Sequence, residues 1–153
     1  MASLETEHEV EPSARRLGDA LWGRLARVYE RQLRLTAEHL RAWDLSVAQF
    51  DVLAQVGRRE GMTQHELAAR LLVTQGNITQ LLDRLERRGL LRRCPEGRIK
   101  RLALTDQGRR LSAEVVPAQE RFQALQFAAL SPEEQQRLLA LLRTLQRAQR
   151  PSP

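Results

Sequence analysis

The chain has 153 residues, 42% of them hydrophobic and 29% charged. That is the size of one ordinary domain with enough apolar material to bury a core, and it excludes wholesale disorder. Net charge is +6 and the pI is near 11.0, a balance that favours an anionic partner.

Aromatics make up only 4% of the chain, so the core must be mostly Leu, Val and Ala. No stretch approaches the ~18 apolar residues of a membrane helix. The opening MASLETEHEVEPS is acidic and lacks the apolar run of a secretory signal, so a cytoplasmic protein without membrane contact is expected. Among the 25 basic residues only Lys100 is lysine, which makes position more telling than the total. Basic residues outnumber acidic ones between Arg84 and Arg101, and phosphate contact is the simplest explanation. The single cysteine, Cys94, excludes an intramolecular disulfide and a cysteine-based zinc site. His65-Glu66 starts an HExxH-like string, but Ala69 stands where the second His must be, and no Walker loop, GxGxxG or GxSxG occurs. No enzyme, metal or cofactor is expected.

In chain order, residues 1–13 read as a mobile polar segment. From Ala14 to Trp43 the spacing predicts one long helix, with Leu17, Leu21, Leu25, Val28 and Leu35 on a stripe flanked by Trp22, Tyr29, Leu33 and Leu40. Ser46 to Gln49 forms a capping box opening a helix that stops near Gly57. Thr63 to Glu66 forms a second box, before a short helix whose Leu67, Ala68 and Leu71 face inward. Thr74 caps the next helix, which runs to Arg88 and ends at Gly89, a residue suited to the left-handed position past a helix end. With Ile78 as the centre of its buried face, Leu81, Leu82 and Leu85 lie within about 60°. Gly76, Gln80, Asp83, Arg84 and Arg87 fall on the far side, as in a helix that lies in a major groove.

Leu90 to Arg93 and Arg98 to Thr105 read as two strands around a Cys94-Pro95-Glu96-Gly97 link. Lys100 shares parity with Leu102 and Leu104, as a strand tip would that leaves the core to reach a phosphate. Thr105 starts another long helix carrying Leu111, Val115, Phe122, Leu125 and Ala129, which Pro117 should kink or split. Ser131-Pro132 with Glu134 restarts cleanly, and a Leu-rich final helix runs out near residue 148.

In this order the segments resemble the MarR family of winged helix-turn-helix transcription regulators over nearly the whole chain. The resemblance rests on Asp44 to Leu53, Thr63 to Leu71, Leu82 to Leu90, Leu102 to Gly108, and the Leu-Ser-Pro-Glu-Glu start of the last helix. It implies a mainly α fold with a small β-hairpin wing, dimerised through long N- and C-terminal helices. Residues 14–43 and 105–148 would be the dimerisation helices, 46–104 the DNA-binding lobe and 149–153 a mobile tail. The Leu-rich outer helices independently present more apolar surface than a winged-helix unit covers, as an interface does.

By the same resemblance the DNA-facing positions are Thr74, Gln75, Asn77, Thr79, Gln80 and Arg84 on the recognition helix, with Arg98 and Lys100 on the wing. Thr63, Gln64 and Arg87 are candidate phosphate contacts. Arg87, Arg88, Arg92 and Arg93 otherwise read as a solvated charged face. Glu96-Gly97-Arg98 stands where the family has Asp-x-Arg, so Glu96 is expected to orient Arg98 toward the minor groove. Gln80 replaces a common Arg and shifts preference toward the adenine edge. Trp22, Tyr29, Trp43 and Phe50 are candidates for an effector pocket, since relatives bind small aromatic acids, or are simply core. Cys94 reads as an incidental thiol before a redox sensor.

These features together predict a sequence-specific DNA-binding regulator, a dimeric repressor of a pseudo-palindromic operator released by a small aromatic or phenolic effector. Its partners are double-stranded DNA and a second copy. The alternative is a winged-helix protein-interaction module without DNA contact, which the amide and Arg face from Gln75 to Arg87 disfavours.

Overall fold

A computed structural model describes residues 11–71 and 74–149, without the side chain of Gln75. Of the mobile ends expected over 1–13 and 149–153, residues 1–10 and 150–153 lie outside the described residues, while Pro12 and Ser13 belong to the first helix. The elements run α1 (Pro12–Leu40), a single 3₁₀ turn (Arg41–Trp43), α2 (Val47–Arg58), α3 (Gln64–Leu71), α4 (Gln75–Arg87), β1 (Leu91–Glu96), β2 (Ile99–Leu104), α5 (Asp106–Gln126) and α6 (Pro132–Ala148). This is the mainly helical fold with one antiparallel hairpin that the sequence led us to expect.

Two compact units meet within α1, one ending at Leu35 and the other starting at Thr36, so the arm expected over 14–43 is divided between them. The first helix also starts earlier than expected, because Pro12 can occupy a first turn whose N–H has no helical acceptor. In the first unit Leu17, Leu21, Trp22, Leu25, Val28, Tyr29 and Leu33 are all exposed.

The second unit holds the core. Ile78, Leu82 and Leu85 of α4 are fully buried against Leu53 and Val56 of α2, Leu67 of α3 and Leu102 and Leu104 of β2. Local capping chemistry sets the helix starts as read from sequence. Ser46 and Gln49 exchange side-chain and backbone hydrogen bonds, Ser131 and Glu134 do the same, and Thr63 and Glu66 close the start of α3. The Thr63 N–H donated to Glu66 holds that carboxyl below its usual range. Past α4, Gly89 has φ +69°; its N–H reaches Glu86 O and the Leu90 N–H reaches Leu85 O, which together form a Schellman ending.

That ending leads into a close junction. Thr105 N–H donates to Leu90 O at 3.1 Å and Thr105 Oγ1 to Gly89 O at 2.5 Å. Gly108 lies so near that a Cβ there would sit 1.9 Å from the Leu90 carbonyl oxygen. The helix end, the base of the hairpin and the start of α5 are thereby fixed together.

Two expectations need correction. Cys94, Pro95 and Glu96 belong to β1, and only Gly97-Arg98 forms the turn. A two-stranded ribbon has an edge on both sides, so Pro95 can sit opposite Lys100 without depriving a neighbour of a donor. Gly97, at φ +60°, takes the first position of the tight turn. Pro117 does not split α5, which continues from Asp106 to Gln126. Pro117 and Ala113 are both exposed, so water can serve the carbonyl that the ring leaves without a donor.

Arg93, expected on a solvated face or at a phosphate, instead clamps the recognition helix. Its side chain is 15% exposed, pairs with Glu86 and, at 2.7 Å, with Asp83, and reaches Thr79 O at 3.4 Å. Its backbone N–H also donates to Glu86 at 3.0 Å. Asp83, read on the DNA side of the helix, is thus turned toward the hairpin.

Two substitutions separate these fixings. Gly108→Ala must displace backbone, and should cost about 3 kcal/mol or more in denaturant unfolding. Arg93→Met loses charge-assisted bonds but keeps the stem packed, and should cost about 1–3 kcal/mol in the same measurement.

Candidate nucleic-acid interface

The exposed side of α4 carries Asn77, Thr79, Gln80 and Arg84, while Thr74 caps its start. Thr74 Oγ1 accepts from the Asn77 N–H at 3.3 Å, which leaves the hydroxyl hydrogen for an outside acceptor. Thr79 is partly engaged, since Gln64 Nε2 donates to its Oγ1 at 2.5 Å and ties α3 to α4. Gln64 is therefore a brace between the two helices of the helix-turn-helix as well as a candidate phosphate contact. Thr63 is half-buried and its Oγ1 accepts from the Glu66 N–H at 3.2 Å, which likewise leaves the hydroxyl hydrogen for an outside acceptor. The side chain of Gln75 lies outside the described residues.

The basic residues, alike in sequence, divide in space. Arg88 is anchored inside the lobe, donating to Asp44 O at 2.6 Å and lying 3.5 Å from its carboxylate. Arg93 clamps α4 and Arg101 is held on the hairpin. Arg84, Arg87, Arg92, Arg98 and Lys100 are exposed and have no ion pair among the described residues. These are the cations available to phosphate. Arg84 and Arg87 also lie in the last turn of α4, where they complement the helix dipole.

The wing departs from the expected arrangement. Glu96 pairs with Arg101 and not with Arg98, because strand parity sends it to the other side of the turn. Cys94 faces Arg101 across the ladder, and Glu96 faces Ile99, so Glu96 and Arg101 are diagonal neighbours on one face. The bond and charge of Glu96 hold the Arg101 guanidinium protonated more firmly than usual. Arg101 also donates to Gly61 O at 2.9 Å. A bridge between Thr63 and Arg101, with the Gly61 N–H on Leu102 O and the Leu102 N–H on Met62 O, brings the segment before α3 alongside β2. Arg101, Arg93 and Asp83 were not singled out from the sequence for these roles, although diagonal parity across a two-residue turn would have paired Glu96 with Arg101. Cys94 is half-buried and free.

Of the four residues expected at an effector pocket, Trp22 and Tyr29 belong to the first unit and Trp43 and Phe50 to the second. Phe50 is a core residue, 8% exposed. Trp22 and Tyr29 stand exposed on the first unit. Trp43 does line an open cavity of about 340 Å³, with Arg88, Leu90, Gln107, Arg110, Leu111 and Glu114. Its indole N–H donates to Glu114 at 2.8 Å. Behind it His39 stacks on Phe122 at 4.1 Å and meets Trp43 edge-on at 5.3 Å. Among the described residues, His39 Nε2 and the amide oxygen of fully buried Gln119 have no hydrogen-bond partner.

Among the described residues no helix is long and apolar enough to cross a membrane. The MarR family model matches residues 43–102. An HTH-type transcriptional regulator of Bacillus cereus is 38% identical over 128 residues, spanning 84% of this chain and 87% of the relative. A mutant of Escherichia coli MarR in complex with operator DNA is similar with a TM-score of 0.74 at 29% identity, covering 80% of this chain and 91% of that one. Bordetella bronchiseptica BpsR, whose DNA binding is regulated by 6-hydroxynicotinic acid, is similar with a TM-score of 0.76 at 25% identity, covering 83% and 98%. The braced helix pair, the exposed amide and guanidinium face, the hairpin beside it and these likenesses agree: the chain belongs to the MarR family of DNA-binding transcriptional regulators, whose members are not enzymes.

Proposed function

We propose that the protein acts in the cytoplasm as a homodimeric repressor that occupies a pseudo-palindromic operator and is released by a small aromatic or phenolic acid. The observation that carries the DNA reading is the division of cations: structural arginines are paired, while Arg84 on α4 and Arg98 and Lys100 on the wing are exposed with no ion pair among the described residues, and α4 also exposes Asn77 and Gln80. A protein-docking face would favour apolar anchors here. Thr74, Gln75, Asn77, Thr79, Gln80 and Arg84 then approach base edges and phosphates of the major groove, with Thr63, Gln64 and Arg87 at the flanking backbone. The exposed leucines of α1, and Leu139, Leu142 and Leu145 of α6, support the dimer, since so much apolar surface needs a cover. Two copies would set half-sites about one helical turn apart.

The cavity beside Trp43 supports the effector reading. An indole wall with Arg88 and Arg110 offers an aromatic face and positive charge to a small aromatic carboxylate. It also touches Arg88 and Leu90, the residues that end the recognition helix and open the hairpin. For such a ligand to weaken DNA binding about 100-fold, it must bind the free dimer about 100-fold more tightly than the DNA-bound one.

In a gel-shift with the duplex selected by the wild-type chain from random DNA, Arg84→Ala and Arg98→Ala should each lower affinity and reduce the salt slope by about one. Binding that does not depend on salt would reject the DNA reading. Gly76 has open space around the position of its missing Cβ, so Gly76→Ala should stabilise the protein by about 0.5–1 kcal/mol. If its DNA affinity falls meanwhile, the backbone at Gly76 approaches the duplex. In a Trp22→Phe chain, 6-hydroxynicotinic acid should quench Trp43 and compete with DNA; quenching that survives Arg110→Ala unchanged would place the ligand elsewhere.

A further inference from the structure

The outer wing has little to hold it. Beyond buried Leu102 the hairpin residues from Pro95 to Lys100 are all exposed, and an isolated two-stranded ribbon is marginal in water. Among the described residues one side chain joins this outer half to the lobe. Arg101 binds Glu96 through Nε and the Gly61 carbonyl through Nη1, spanning from the strand before the turn to the segment leading into α3. Among the described residues Arg98 and Lys100 make no such contact.

We propose that Arg101 and Glu96 form a strut that sets the cant of the wing, making Arg101 a positioning residue for DNA binding and not a DNA contact. This rests on the DNA-binding reading above. Two guanidinium nitrogens are already committed, and Glu96 cancels the charge, so Arg101 has no counterion to exchange for a phosphate. Glu96 consequently serves DNA binding although it is an acid beside a polyanion. Without the strut the hairpin samples more orientations, and binding must order it again. The acid that Asp-x-Arg would set against Arg98 is thus spent on Arg101, three positions further along the chain.

Salt-dependent binding of the full-length chain to the duplex it selects from random DNA tests this with Arg98→Ala, Arg101→Met, Glu96→Gln and the Glu96→Gln/Arg101→Met double variant. Arg101→Met and Glu96→Gln should each weaken binding about three- to tenfold, with the salt slope and thermal midpoint unchanged. The double variant should be no weaker than the single ones, because both remove one interaction. Arg98→Ala should instead lower the slope by about one. Glu96→Gln is the sharpest arm: simple electrostatics makes loss of an acid tighten binding, whereas loss of the strut weakens it. Tighter binding by Glu96→Gln, a lower slope for Arg101→Met, or additive effects in the double variant each overturn the proposal while leaving the DNA reading intact. Failure of the wild-type chain to bind any duplex overturns both.

Discussion

Four elements converge on the backbone around Leu90, and the interface can exist only because they do. Its carbonyl accepts from Thr105 at the end of the hairpin, its N–H closes the end of α4, and Gly108 brings α5 against it without a side chain between. Recognition helix and wing are therefore two continuations of one rigid junction. Their relative placement is set in the backbone, which has few soft dihedrals there, and does not depend on long side chains folding over one another. The clamp of Arg93 then adds a second fixing point about two turns up the helix, from Thr79 to Glu86.

Such rigidity suits a reading unit that must present several contacts at once. Each side chain that is already in place before binding is one less to order in the complex. Arg88, Arg93 and Arg101 are held by groups elsewhere in the fold, while Arg84, Arg87, Arg92 and Arg98 stay exposed with no ion pair among the described residues. Arginine is used for both tasks because its planar fork forms directed bonds to carboxylates and carbonyls, and equally to phosphates and base edges.

That double use also explains what could be read from the sequence and what could not. Helix starts were legible because caps are local: Ser46 meets Gln49, Thr63 meets Glu66 and Ser131 meets Glu134 within a single turn. Gly89 was legible for the same reason. The recognition face followed from helical periodicity, which placed Ile78, Leu82 and Leu85 inside. The roles of Arg88 and Arg101 were not legible, since their acceptors Asp44 O and Gly61 O lie 44 and 40 residues away in the chain. The hairpin limits were misjudged because Pro95 reads as a turn former, although a ribbon edge accommodates it. Trp22 and Phe50, similar in sequence as large apolar residues, differ in exposure from 71% to 8%, and only packing decides between them.

The two-residue turn at Gly97-Arg98 has a consequence for how this wing can diverge among descendants of the gene. Strand residues alternate faces, so lengthening both strands by one residue would turn the tip over and present Arg98 to the opposite side. Lengthening both by two would preserve its facing while carrying it roughly 7 Å further out. Reach can therefore drift by viable insertions only in paired steps, whereas single-residue changes must be absorbed by a bulge.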